Sequence, residues 1–411
     1  MKIKDVISTV GRSGYFNKDL AAVKAGAKAD GFHYLGKPVT PGFTRVQQPG
    51  ASVSVMLVLE DGQVAFGDCM DVILSAVAGR DPLFRPQEHM DFLKGELTER
   101  LKGRDISKFR PVADEIDGIT KGNKQLHTAL RYGITQALLH GAALANHKQM
   151  AQVIAEEYDA PLAKAPVPIL GSSGTGDWEG LDRLILKEVE ILPHSSFSNV
   201  ERDLGWKGEK LVAYAARVVK RIKEIGEPGY KPTIHLDCYG TFGELFNNDV
   251  KKIVDYCGEL KDAVGDLALM IESPIIAKTR QEQIEIYHKL CRAIEAQWRG
   301  VEIIVDEWCN NVDDVRDFSD AKAGHLLQVK MPDIGGLNRT IEGVLYARRK
   351  GLGVSLGGSL NETDQSARIT AHVGLATQPT YMFAKPGAGG DTGLMIEGNE
   401  MQRALALIAR T

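Results

Sequence analysis

Between residues 166 and 384 the chain alternates eight short apolar runs with amphipathic stretches, and this repeat limits the fold more than any other feature. The runs are 166–170 (PVPIL), 191–194 (ILPH), 232–237 (PTIHLD), 267–272 (LALMIE), 301–306 (VEIIVD), 325–330 (HLLQVK), 353–358 (GVSLGG) and 380–384 (TYMFA). Helical periodicity fills stretches such as 208–225, 249–264, 278–297, 336–350 and 363–376. Parallel strands need crossover connections, so eight strand–helix units in series predict a closed, TIM-like (β/α)₈ barrel. The competing α/β arrangement is a doubly wound open sheet. Eight repeats, and no G-x-G-x-x-G after the first strand, disfavour it.

The first 160 residues read differently, as an α+β capping domain ahead of a barrel spanning 161–411. Residues 52–67 hold an apolar strand, an Asp-Gly turn and a return strand, which is a hairpin signal. Stretches 86–102 and 125–147 carry helical periodicity, the second with Leu126, Leu130, Ile134, Leu138 and Leu139 on one face. Residues 34–50, broken by Pro and Gly, form a loop: either a lid or a surface Ω-loop without a role. The Ala- and Pro-rich segment 159–166 (DAPLAKAP) is the expected linker.

Composition narrows the function. The net charge of −4, with both signs interspersed, offers no basic stripe for a nucleic acid. No apolar run approaches the roughly 20 residues of a membrane span. The opening stretch MKIKDVISTV lacks an apolar core of signal-peptide length. Five scattered cysteines (Cys69, Cys238, Cys257, Cys291, Cys309) predict free thiols and a cytoplasmic protein.

The polar residues at the strand ends carry the chemistry. Asp237, Glu272 and Asp306 each close an apolar strand at its carboxyl end, on three strands in succession. In a barrel those ends converge on the face where active sites lie. Each acid could cap the following helix; three together repel unless a cation gathers them, and oxygen donors suit a hard ion such as Mg²⁺. The next strand ends with Gln328 and Lys330, two apart and so on one face. Lys330 is either a general base, its pKa lowered beside a dication, or the salt-bridge partner of one of the acids. His194 ends the second strand, across the barrel from the sixth, so that it and Lys330 can flank a ligand. His235, inside an apolar strand, reads as a satisfied interior histidine. A divalent ion holding a substrate carboxylate acidifies the adjacent carbon, and a lysine can remove that proton. The intermediate then expels a β-leaving group, as in a lyase, or is reprotonated on the other face, as in an epimerase.

Longer motifs extend this reading: GRDPLF (79–84), LHTALRYGITQALL (126–139), LPH (192–194), KGEKL (207–211), DEWCN (306–310), QVKMPDIGG (328–336) and AKPG (384–387). Together they resemble the 3-methylaspartate ammonia-lyase family of the enolase superfamily along nearly the whole chain. The resemblance implies a Mg²⁺-dependent carbon–nitrogen lyase, a homodimer and a cap that closes over the site. By it, Asp237, Glu272 and Asp306 match the metal ligands, and Lys330 the base of the S-specific direction. His194 matches the histidine that binds the metal-held carboxylate and serves the other stereochemical course, with Gln328 beside it. The far end of the pocket departs from the pattern. Ile73 and Ser172 replace two substrate-binding glutamines, and Ser359-Leu360 a Thr-Cys pair; Ser355 stands for an aromatic residue and Phe383 for a leucine. The metal end therefore predicts the half-reaction, and the rewritten end leaves 3-methylaspartate beside other amino acids or carboxylates as substrate. A paralogue kept for binding without turnover is disfavoured by the intact Lys330 and acids.

Overall fold

The computed structural model describes residues 1–77, 79–297, 300–387 and 390–410. The capping domain is built on an antiparallel sheet of β1 (Ile3–Lys18), β2 (Gln47–Leu59) and β3 (Val64–Cys69), in that order. The expected hairpin is β2–β3, closed through Gly62 at φ +87°, a backbone conformation that favours glycine. β2 begins at Gln47, and a short strand covers His33–Leu35, so the predicted 34–50 loop shrinks to 36–46. The 86–102 segment is a 3₁₀ turn, Pro86–Glu88, followed by a short helix with a π-type turn at Leu93–Leu97.

Helix α1 (Thr128–Ala145) differs from the one-sided amphipathic helix the periodicity predicts. Ala129 through Leu139 are all buried, because the cap sheet covers one side of the helix and the barrel covers the other. Its approach to β3 depends on two glycines. A Cβ on Gly67 would sit 2.1 Å from the Gly133 carbonyl oxygen, and one on Gly133 would sit 2.4 Å from the Cys69 nitrogen. The Gln136 amide then pairs with the outer edge of β3, accepting from Asp68 N–H and donating to its carbonyl, both at 3.1 Å. Gly133→Ala is expected to destabilise the protein by about 1–3 kcal/mol through overpacking, read as a lower denaturation midpoint.

The barrel strands are β4 (Ile169–Leu170), β5 (Ile191–Ser196), β6 (Thr233–Asp237), β7 (Leu269–Glu272), β8 (Val301–Val305), β9 (Leu326–Lys330), β10 (Gly353–Gly357) and β11 (Tyr381–Phe383). They close in sequence order, and every neighbouring pair is parallel. All eight predicted strands are present. The first is shorter than 166–170 because Pro166 and Pro168 have no N–H to donate. Helices lie between the strands, among them Glu209–Ile225, Val250–Val264, Arg280–Gln297, Leu337–Arg349 and Asp364–Thr377. The five cysteines are free and buried. No helix of the described residues is long and apolar enough to cross a membrane.

Cap and barrel meet at the segment after β10. Asn361 and Glu362 carbonyls accept from Gly14 N–H, Thr363 Oγ1 donates to Asp68 Oδ2 at 2.6 Å, and Tyr132 of α1 donates its hydroxyl proton to Glu362. The same segment carries two residues that face the cavity described next.

Candidate active site

At the carboxyl ends of the barrel strands, under the cap, lies a cavity of about 500 Å³. Its lining includes Asp237, Glu272, Asp306, Gln328, Lys330, His194, Ser172, Ile73, Ser359, Leu360 and Phe383, so these sequence-predicted site residues are brought together. Ser355 is not among them. It is fully buried beneath the cavity and donates to Gln328 Oε1 at 2.7 Å, so it touches the site through Gln328.

Parallel register builds the acidic wall. Asp237 and Glu272 are direct partners at the last positions of β6 and β7, and Asp306 follows the last residue of β8. All three side chains are buried. Ser196 donates to Asp237 Oδ2 at 2.9 Å, Gln328 Nε2 to Glu272 Oε1 at 3.0 Å, and Lys330 Nζ to Asp306 Oδ2 at 2.6 Å. Glu272 Oε2 is buried and receives no hydrogen bond. Burial raises the Asp237 pKa well above the usual carboxylate range, and the charges of Glu272, Glu307 and Asp306 push it further. Glu272 goes the other way: burial is outweighed by His235, His194 and Lys330.

Two histidines face this wall. His194 Nε2 is 3.8 Å from Glu272 Oε2 and 4.0 Å from Asp237 Oδ2, and its ring meets the Phe383 ring edge-on at 4.9 Å. Burial lowers its pKa to about 4, with Glu272 opposing and His235 and Lys330 adding, so the imidazole is neutral at neutral pH. His235 corrects the sequence reading. Its Nε2 lies 3.0 Å from Glu272 Oε2, close but poorly aligned, and Nδ1 has no partner, so it is not a satisfied interior residue. The rule that places Gln328 and Lys330 on one face applies equally to His235 and Asp237.

Lys330 forms the salt bridge that the sequence left as one of its two readings. Burial alone would lower its pKa; Asp306, joined by Asp333 and Glu272, outweighs burial and the opposing Arg80, and the pKa rises. The direction is opposite to the one expected beside a dication.

Several lining residues were not anticipated. Arg80 reaches in from the cap and pairs with Asp333 at 2.9 Å; Lys18, Thr175, Ser196 and Tyr239 also line the cavity. No residue of 34–50 lines the cavity, so the cap's contribution comes from Lys18 and from 72–80. Behind the wall, Ser273 donates its hydroxyl proton to the half-buried Glu307. Arg80 stands in the GRDPLF motif, a sequence signal that carried no role.

The donor set fits a hard divalent cation. Among the described residues, the ligand atoms within 4.8 Å of one another belong to His194, His235 and Glu272. Imidazole, however, suits softer metals, and the carboxylates of Asp237 and Asp306 flank Glu272 on adjacent strands. A Glu272 oxygen met only by the poorly aligned His235, and an Asp237 carboxyl raised by burial and then by its neighbours' negative charge, are the marks of a site that a cation completes. A cation held by Asp306 would compete with the Lys330 ammonium for that carboxylate, which links donor set and lysine through one side chain.

The family model for the methylaspartate ammonia-lyase N-terminus matches residues 1–159, and that for the C-terminus matches 161–410. Methylaspartate ammonia-lyase 2 of Carboxydothermus hydrogenoformans is 48% identical over 411 residues, covering 100% of this chain and 99% of the relative. A magnesium complex of β-methylaspartase from Clostridium tetanomorphum superposes with a TM-score of 0.97 at 44% identity, covering 100% of both chains. The Citrobacter amalonaticus methylaspartate ammonia lyase containing (2S,3S)-3-methylaspartic acid gives a TM-score of 0.97 at 42% identity, again covering 100% of both. With its cavity, its strand-end carboxylates and its full-length likeness to these proteins, the chain belongs to the methylaspartate ammonia-lyase family.

Proposed function

We propose that the chain is a Mg²⁺-dependent carbon–nitrogen lyase that eliminates ammonia from 3-methylaspartate or a closely related amino acid. The observation that carries this reading is the meeting of Asp237, Glu272 and Asp306 with Lys330 and His194 in one cavity. Asp237, Glu272 and Asp306 would hold the ion, and Mg²⁺ when bound supplies a Lewis acid that acidifies the carbon next to a substrate carboxylate.

The remaining work falls to side chains. Lys330 Nζ, in its neutral form, takes the proton from that carbon. The electron pair forms a carbon–carbon double bond, the neighbouring carbon–nitrogen bond breaks, and ammonia leaves; with 3-methylaspartate the other product is mesaconate. His194, on the strand opposite, is the second acid/base group and serves the other stereochemical course. Gln328 is held at both ends of its amide, by Ser355 and Glu272, and orients the carboxylate end of the substrate. The cap residues Ile73 and Leu74, with Leu360 and Phe383 of the barrel, exclude water and shape the far end.

Purified protein with Mg²⁺ and threo-3-methylaspartate is expected to release ammonia. No ammonia there, with elimination or proton exchange on another carboxylate, would favour the second reading: the same half-reaction on a different substrate. The apolar wall of Ile73, Leu360 and Phe383 is the feature that supports that alternative. Chelation with EDTA should abolish turnover and Mg²⁺ should restore it. Mg²⁺ at about 100 times its Kd should also stabilise the fold by about 2.7 kcal/mol, visible as a shifted melting curve without any substrate.

A further inference from the structure

Three cations line the cavity: Lys18, Arg80 and Lys330. Two are matched by carboxylates, Arg80 by Asp333 at 2.9 Å and Lys330 by Asp306 at 2.6 Å. Lys18 has no carboxylate partner among the described residues; its Nζ sits 5.4 Å from the centroid of the Tyr34 ring. A half-buried lysine that lines one cavity with Ile73, Leu74 and Leu360, and has no carboxylate beside it, is unfavourable in a closing site unless the ligand brings the anion.

The lysine is also held in place. Its backbone N–H donates to the Ile73 carbonyl at 2.9 Å. The preceding Asn17, 1% exposed, ties the same turn down through Asp71 Oδ1 and the Val72 carbonyl, each at 2.9 Å. The following Asp19, also 1% exposed, accepts from Val39 and Thr40 N–H at 2.6 and 2.9 Å. Two buried polar anchors thus fix the backbone on both sides of Lys18, and the turn carrying Ile73 is tied to it.

We infer that Lys18 is a specificity-determining residue that receives a second carboxylate of the substrate, the one remote from the Mg²⁺ end. This rests on the proposed lyase reading and deepens it. The proton leaves the carbon beside the metal-held carboxylate and ammonia leaves the next carbon, so the second carboxylate is the one on the carbon bearing nitrogen. A lysine there attracts that group and repels the ammonium beside it, which fixes which end of an aminodicarboxylate lies at the cap.

The test uses the full chain with Mg²⁺ and two substrates: 3-methylaspartate, and 3-amino-2-methylpropanoate, which lacks only the carboxylate beside nitrogen. Lys18→Met is expected to raise KM for 3-methylaspartate by about 10- to 100-fold and leave the monocarboxylate within about 2-fold, with Lys18→Arg recovering most of the loss. A purely structural lysine would move both substrates alike. Calorimetry with mesaconate and methacrylate separates this proposal from the reaction itself. If 3-methylaspartate is not turned over but mesaconate still binds in a Lys18-dependent manner, the lyase assignment fails and the role of Lys18 stands. If Lys18→Met binds mesaconate as tightly as the unaltered protein, or that protein does not prefer mesaconate to methacrylate, the role of Lys18 is overturned.

Discussion

Replacing Lys330 by alanine is expected to lower kcat by about 10³-fold or more, at the upper end of what a positioned general base contributes. The side chain closes β9, is ion-paired to Asp306 at 2.6 Å and faces His194 across the cavity. Two controls separate loss of the base from loss of the site. The Mg²⁺-dependent shift of the melting curve should survive, because Asp237, Glu272 and Asp306 remain. Lys330→Arg should be nearly as inactive, since a guanidinium keeps the charge beside Asp306 and does not give up its proton near neutral pH. Exchange of the substrate's acidic proton with solvent should disappear in both variants. Continued exchange in Lys330→Ala, with elimination lost, would move the proton abstraction to another group, His194 first.

That prediction was legible in the sequence because it depends only on strand ends. A closed parallel barrel has one side-chain period and one functional face, so an acid or lysine at the end of an apolar run has a determined destination. Asp237, Glu272, Gln328 and Lys330 needed no more than that. His235 was misread because an apolar context hid a charged neighbour on the next strand. Ser355 was misplaced for a related reason. It pairs in register with Gln328, two residues below the strand end, and lies beneath the cavity floor.

The cap resisted reading. β1 was not foreseen as a strand: its sixteen residues bury only Ile3, Val6 and Asn17, and Gly11 and Gly14 interrupt it, so no two-residue apolar alternation shows. Without β1 there was no way to see that Lys18 ends beside Ile73. Arg80 and Lys18 enter the site by tertiary contact, and neither spacing nor periodicity encodes which loop of one domain meets which strand of another.

The second large effect is on stability. Lys385→Met is expected to destabilise the protein by about 3–5 kcal/mol, read from denaturant unfolding, because it leaves the Glu362 carboxylate buried without its cation. Both side chains are fully buried, with Lys385 Nζ 2.9 Å from Glu362 Oε2 and 3.2 Å from the Gly357 carbonyl. Among the described residues, Glu362 is the carboxylate within ion-pair distance of Lys385. Glu397 lies in the same region with both oxygens unpartnered, and burial, with Glu362 adding and Lys385 opposing, holds its pKa well above the usual range. Glu362 also accepts from Tyr132 of the cap and, at 2.9 Å, from Ser359 N–H, so the pair supports the segment that presents Ser359 and Leu360 to the cavity. Lys385→Met combined with Glu362→Gln should therefore be less destabilising than Lys385→Met alone, since the uncompensated charge is gone. If the double variant loses as much as the sum of both single losses, the two side chains do not act as a pair, and the cap is anchored to this segment by its backbone contacts to Gly14 instead.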